Sequence, residues 1–196
     1  LSYSISGYSL DPEFDTEVGF VRRRDIRRAS SNVSYRWWPE SWIINWGPRL
    51  SYSRNYDFEG VLQDEDRRLG LSFNFARNLS FSANLRRDLE RFEGVDFHKT
   101  EYSVNGGVNT SRALSIRANY SQGDQIFFDA DNPFLGGGRS ARLNVTVRPL
   151  ARLSSQIGVT TSRLTDPSNG DLQVFDVKIY RAQSILTFTD RLLMRN

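Results

Sequence analysis

The sequence predicts an all-β chain, an antiparallel meander forming part of a transmembrane β-barrel of the bacterial outer-membrane type, and three observations point there. Apolar and polar residues alternate at period two along most of the chain, the mark of strands with one greasy face. Short turns recur about every 35 to 40 residues, with a long polar segment between each pair of them. Aromatic residues gather beside the short turns, as they do where a barrel wall meets the membrane surface.

The expected strands follow in chain order. Leu1 to Leu10 and Ala29 to Trp38 open the series. Trp42 to Tyr56 is the third, with Trp42, Ile44, Trp46, Leu50 and Tyr52 on one parity. Leu69 to Ala76 is the fourth; in the fifth, Leu79 to Leu89, the residues Leu79, Phe81, Ala83 and Leu85 alternate with Ser80, Ser82, Asn84 and Arg86. Thr100 to Thr110 is followed by Ala113 to Ser121, where Leu114, Ile116, Ala118 and Tyr120 share one side. Ser140 to Arg148 sets Leu143, Val145 and Val147 against Arg142, Asn144, Thr146 and Arg148. Leu153 to Arg163 sets Leu153, Ile157 and Val159 against Ser154, Gln156, Gly158 and Thr160. Val174 to Phe188 is the least regular, because its apolar residues change parity between Val177 and Ile185, which marks a bulge or a register shift. With the strand that begins near Met194, the count is about ten and a fraction. A helix turning about 100° per residue would scatter these residues around its circumference.

Short turns are expected at Pro39-Glu40, Arg77-Asn78, Ser111-Arg112, Pro149 to Arg152 and Thr189 to Arg191. Long acidic loops are expected over Asp11 to Arg28, Arg54 to Arg68, Asp88 to Lys99, Gln122 to Arg139 and Leu164 to Phe175. Strict alternation of the two would put every tight turn at one rim, as in barrels with short periplasmic turns and long outer loops. A propeller blade has a similar period but would hold four short strands where each interval here holds two of about 10 residues. All four tryptophans, Trp37, Trp38, Trp42 and Trp46, flank one short turn, and Phe73, Phe75, Leu186 and Phe188 stand at corresponding heights, which reads as an interfacial girdle; a local core cluster is the competing reading.

Composition removes several chemistries. There is no cysteine and a single histidine, His98, expected in a loop, so disulfides, thiolate sites, imidazole-based triads and multi-histidine metal centres are unavailable. No catalytic residue, metal site or cofactor is expected, and the chain reads as a non-enzyme. A formal charge of +3, spread along the chain, gives no footprint for nucleic acid. A mean hydropathy of -0.52 with 38% hydrophobic residues suits a wall with one wet and one oily face. Asp129-Ala130-Asp131-Asn132 is half a calcium loop interrupted by Pro133, and Gly136-Gly137-Gly138 lacks the Lys-Ser/Thr that makes a phosphate cradle, so it reads as a flexible loop. The chain is expected to be a single barrel segment over residues 1–196, truncated at both ends and therefore an open, curled sheet.

The segment Phe14-Asp15-Thr16-Glu17-Val18-Gly19-Phe20-Val21-Arg22-Arg23 resembles the hallmark of a bacterial outer-membrane barrel family of uncharacterised role, whose barrel commonly follows a carbohydrate-binding family 9-like module. Val174 to Arg181 and Phe188 to Leu192 resemble that family's approach to its last strands, while Asp15-Thr16 stands where the family would have Asn-Pro. The resemblance implies an outer-membrane location, a missing sugar-binding-like module and some part in glycan handling at the cell surface; it implies no activity.

If the apolar parity faces lipid, the other faces a lumen carrying Arg36, Arg49, Arg86, Arg117, Arg142 and Arg148, with acidic residues scarce there and concentrated in the long loops. Such a lumen would favour glycans or small anions as partners beside outer-membrane lipid. The alternative is a plugged interior, cross-linked by arginines paired with carboxylates such as Asp88 or Glu17. Arg22, Arg23, Arg24, Arg27 and Arg28 form either a basic lumenal surface or a solvated loop paired with Asp25. A soluble β-sheet binding protein, its apolar face covered by a second sheet, and an outer-membrane enzyme are the other classes. Oligomeric state is not legible.

Overall fold

The computed structural model describes residues 1–15, 24–92, 94–109, 111–129, 133–189 and 192–195. They form one eleven-stranded antiparallel sheet in strict sequence order, a meander that is not closed into a barrel. The strands are β1 Ser2–Leu10, β2 Ile26–Ser34, β3 Ile43–Tyr56, β4 Leu62–Phe75, β5 Leu79–Phe92, β6 Val95–Val108, β7 Leu114–Phe127, β8 Phe134–Leu150, β9 Leu153–Asp166, β10 Leu172–Thr189 and β11 Leu192–Arg195. Beyond them only two single-turn 3-10 segments occur, Ala76–Asn78 and Pro167–Asn169.

Cross-strand register converts the sequence alternation into two chemically distinct faces, since paired residues point to the same side. One line of partners runs Trp46, Phe73, Phe81, Gly106, Ala118, Leu143, Val159 and Tyr180. Its neighbour on the opposite face runs Gly47, Ser72, Ser82, Asn105, Asn119, Arg142, Thr160 and Ile179. From β3 to β9 the partition is almost complete. The few buried hydrophobics, Ile26, Phe97, Ile126 and Leu164, lie toward the ends away from the 76–78 turn, whereas Leu50, Leu69, Val104 and Leu143 on the apolar face stay exposed. This sheet has no interior layer of its own; its apolar face is a surface.

Several expectations are corrected. The long loops shrink, because charged stretches are paired strand: β3 and β4 are joined by 57–61, β5 and β6 by 93–94, β7 and β8 by 128–133, and β9 and β10 by 167–171. Only 11–25 remains long. At the other rim the connections are 35–42, 76–78, 109–113 and 151–152, so loop length does not separate the two rims. A strand backbone pairs whatever its side chains are, and Arg91 with Asp96 across the Phe92–Val95 closure, 2.6 Å apart, shows how a polar hairpin is held. Gly94, at φ 77, makes that reversal possible. At the opposite rim Arg77 and Asn78, both at positive φ, make the expected turn.

β2 begins at Ile26 and ends at Ser34, while Tyr35 and Trp37 go on pairing irregularly with Pro48 and Trp46. Gly47 is required there, since a Cβ would fall on the Tyr35 carbonyl. Gly136, Gly137 and Gly138 lie inside β8 opposite Gln125, Asp124 and Gly123, not in a flexible loop; a Cβ at Gly136 would strike the Leu164 side chain. His98 sits in β6 opposite Leu89. The parity change in β10 is not a bulge: register with β9 is unbroken from Phe175 to Leu186, so Val177 and Ile179 stand on the polar face and Lys178 and Tyr180 on the other.

Candidate functional site

One concavity, lined by Gln122, Asp124, Arg139 and Arg163, lies against the apolar face, and four others lie against the polar face. Its middle rows are small and hydroxylated: Ser34, Arg49, Gly70, Asn84, Ser103, Ser121, Ser140 and Ser162 form one continuous line of partners. Ser2 bonds Ser34 and Ser6 bonds Ser30 through their hydroxyls, at 2.7 and 2.8 Å. Asn74 donates to Asn45 at 2.9 Å, Asn119 to Asn105 at 2.6 Å, and Asn105 to Ser82 at 3.2 Å. Short side chains bonded along the wall leave the space in front of it open.

Toward the far rim the same face carries an ionic ladder across β4, β5 and β6. Arg68 and Arg86 meet Asp66 at 2.9 and 2.6 Å, Arg86 also reaches Asp88 at 3.4 Å, and Lys99 bridges Asp88 and Glu90 at 2.9 and 2.5 Å. Asp88 is buried. The expectation that this face lacks acidic residues is therefore wrong on this stretch. Asp64, Asp66, Asp88 and Glu90 are wall residues; Asp66 stands directly opposite Asp88 and Asp64 opposite Glu90, and the repulsion of such like-charged pairs is offset by Arg68, Arg86 and Lys99 beside them.

The apolar face is built differently. Beside the short connections an aromatic belt runs from the 35–42 connection across β3, β4 and β5: Trp37 stacks on Trp46 at 4.5 Å, Trp46 on Phe73 at 5.8 Å, Trp42 on Phe75 at 4.9 Å, and Phe73 meets Phe81 at 6.4 Å. Trp38 is outside this belt, with the Arg36 guanidinium 5.6 Å from its ring centre. Above Leu50, Leu69 and Leu85 the apolar band ends in a charged cluster. There Glu65 accepts from Tyr52 at 2.6 Å, from Arg54 at 2.8 Å and from Arg67 at 2.8 Å. The Tyr52 hydroxyl foremost, and then the two guanidiniums, outweigh burial and hold this carboxyl down to about 2. At the β5–β6 tip, Arg91 holds Asp96 below the usual carboxylate range in the same way.

The six arginines expected to share one interior separate into three groups. Arg49, Arg117 and Arg142 lie on the polar face, exposed and without a hydrogen-bond or ion-pair partner among the described residues. Arg86 is on that face but belongs to the ladder. Arg36 and Arg148 sit at the short-turn rim, the latter donating to the Arg112 carbonyl at 3.5 Å. Arg28 stands on the polar face opposite Asn55, Arg27 covers the Phe58 ring at 4.2 Å, Arg24 pairs with Asp15 at 3.0 Å, and Asp25 accepts the Phe58 amide rather than an arginine. Of the family-like segment, Phe14 is described and exposed; Glu17, Val18, Gly19, Phe20, Arg22 and Arg23 lie outside the described residues, as do Asp131 and Glu93. Sequence reading named Asp88 as a partner for the wall arginines, which Arg86 bears out, but missed the rest of the ladder, Arg181 opposite Gly158, and Arg195, whose guanidinium faces the Gln183 amide. Strand parity would have found Arg181 had β10 been kept in register. Comparison with protein-family models, curated proteins and solved structures gives no match.

Proposed function

We propose that the chain is a wall of an outer-membrane β-barrel, with the apolar face and aromatic belt against lipid and the polar face lining a hydrated conduit for small polar solutes. The observation that carries this reading is the register-wide partition of side chains, from Trp46-Phe73-Phe81-Leu143 on one face to Ser72-Ser82-Asn105-Asn119 on the other. A soluble sheet covers its apolar face with a second layer; here tyrosine, leucine, valine and tryptophan stay uncovered across adjacent strands, far beyond the scattered exposure of a water-soluble surface. Strands of 14 residues exceed the 9–11 that cross a bilayer, which accounts for the charged extensions bearing Arg54, Glu65, Arg91 and Asp96. Among the described residues no helix is long and apolar enough to cross a membrane, so any crossing is made by strands. The serine and asparagine rows favour an open interior over one filled by its own side chains, since walls of more than about eight strands need large residues to close the space.

The test is reconstitution of the full chain into liposomes. The expected result is a heat-modifiable, detergent-dependent protein that admits small neutral sugars in swelling assays, more slowly as solute size rises. A monomer that stays soluble without detergent overturns the membrane assignment; an inserted protein that admits nothing overturns the conduit.

A further inference from the structure

The two halves of the polar face differ in charge balance. On β4 to β6, Arg68, Arg86 and Lys99 are tied to Asp66, Asp88 and Glu90, with Asp64 and Glu101 on the same side. On β7 to β11 the same face presents Arg117, Arg142, Arg181 and Arg195, and among the described residues of these strands it presents no carboxylate short of Asp166 at the rim. Arg117, Arg142 and Arg181 are exposed and have no hydrogen-bond or ion-pair partner among the described residues. Arg142 and Arg181 line one concavity with Asn144, Gln156 and Thr160, side chains that donate hydrogen bonds without adding negative charge.

The ladder does not cancel these cations. Asp88 on β5 and Arg142 on β8 are three strands apart, about 14 Å at ~4.8 Å per strand, against a screening length of ~8 Å at physiological salt. Glu101 and Arg117 lie on adjacent strands, but Glu101 pairs with Gly123, which is six residues from Arg117 along β7, about 20 Å at ~3.4 Å per residue. A guanidinium held on a wet wall without a carboxylate partner attracts oxyanions and offers them a bidentate fork.

We infer that the β7–β11 wall is an anion path, selecting solutes that carry a carboxylate or phosphate group, while the β4–β6 wall, whose carboxylates outnumber its cations, offers anions no site. The inference rests on the conduit reading above. It also assigns Arg142 and Arg181 as selectivity-determining residues.

The experiment measures reversal potentials of the reconstituted full chain in planar bilayers under a potassium chloride gradient. Wild type is expected to favour chloride over potassium, and R142Q/R181Q to lower the anion-to-cation permeability ratio by about two-fold or more, the response of a filter losing half of its charged ring. R142K/R181K should keep the selectivity, and D66N/R86Q, which removes one matched pair, should leave it as in wild type. Heat-modifiability of each variant shows that it is folded. Conductance with a ratio unchanged in R142Q/R181Q, or a loss equally large in D66N/R86Q, overturns the anion path and leaves the conduit standing. Folded wild-type protein with no conductance overturns both.

Discussion

Glu65 shows how a carboxylate can sit directly above an apolar band: three donors, Tyr52, Arg54 and Arg67, converge on it. Its pKa near 2 lies below the ordinary carboxylate value, so the stabilisation is full above about pH 4.5 and disappears as pH falls toward about 2. Glu65→Gln is expected to cost about 1 to 2 kcal/mol at neutral pH, the worth of hydrogen bonds to a charged group. It should also flatten the acid limb of a urea-unfolding profile measured in lipid vesicles. Gly47 makes the opposite demand, for absence of a side chain, because the Tyr35 backbone crosses over it. Gly47→Leu should lower stability by about 1 to 3 kcal/mol in the same assay. Neither role was legible in the sequence. Glu65 reads as one more loop acid, and Gly47 as a glycine in an alternating strand, until register brings β4 and the 35–42 connection beside β3.

At the scale of strands, legibility followed side-chain chemistry. β5, β7 and β9 carry uninterrupted alternation, and their starts at Leu79, Leu114 and Leu153 were read to within a residue. The first half of β4 was not: Gln63 to Arg68 looks like a solvated loop, and its strand character appears only once Asp66 meets Arg86 diagonally across β5 and Glu65 faces Arg54 on β3. β10 misled in the other direction, its polar-face Val177 and Ile179 imitating a bulge. The tryptophans beside Pro39 marked where aromatic rings gather, and the rings stack there, although Trp38 stands apart from them. Removing a central ring tests whether the belt acts as a unit. Phe73 touches Trp46, Phe75 and Phe81, so Phe73→Ala should destabilise by about 2 to 4 kcal/mol, while Trp38→Ala should cost less than about 0.5. Tryptophan emission should shift to the red in the first variant.

For the whole molecule, the meander and its two faces were legible, while the equal rims and the mixed charge of the polar face were not, because both depend on which strands stand side by side. The partition itself can be challenged by placing one charge on each face of a central strand. Val104 and Asn105 are successive residues of β6 with neighbours Ala83 and Ser82. Val104→Arg should cost about 2 to 4 kcal/mol in a bilayer, and Asn105→Arg close to nothing. The most direct measurement uses the absence of native cysteine. Single cysteines at each position from 141 to 147 on β8 carry a nitroxide label, and collision rates are read with oxygen, which concentrates in lipid, and with a water-soluble nickel chelate. The expected result is a period-two pattern in reconstituted protein, with oxygen favoured at positions 141, 143, 145 and 147 and nickel at 142, 144 and 146. Nickel access at both sets, or oxygen access at neither, would show that the apolar face does not meet lipid and would contradict the account.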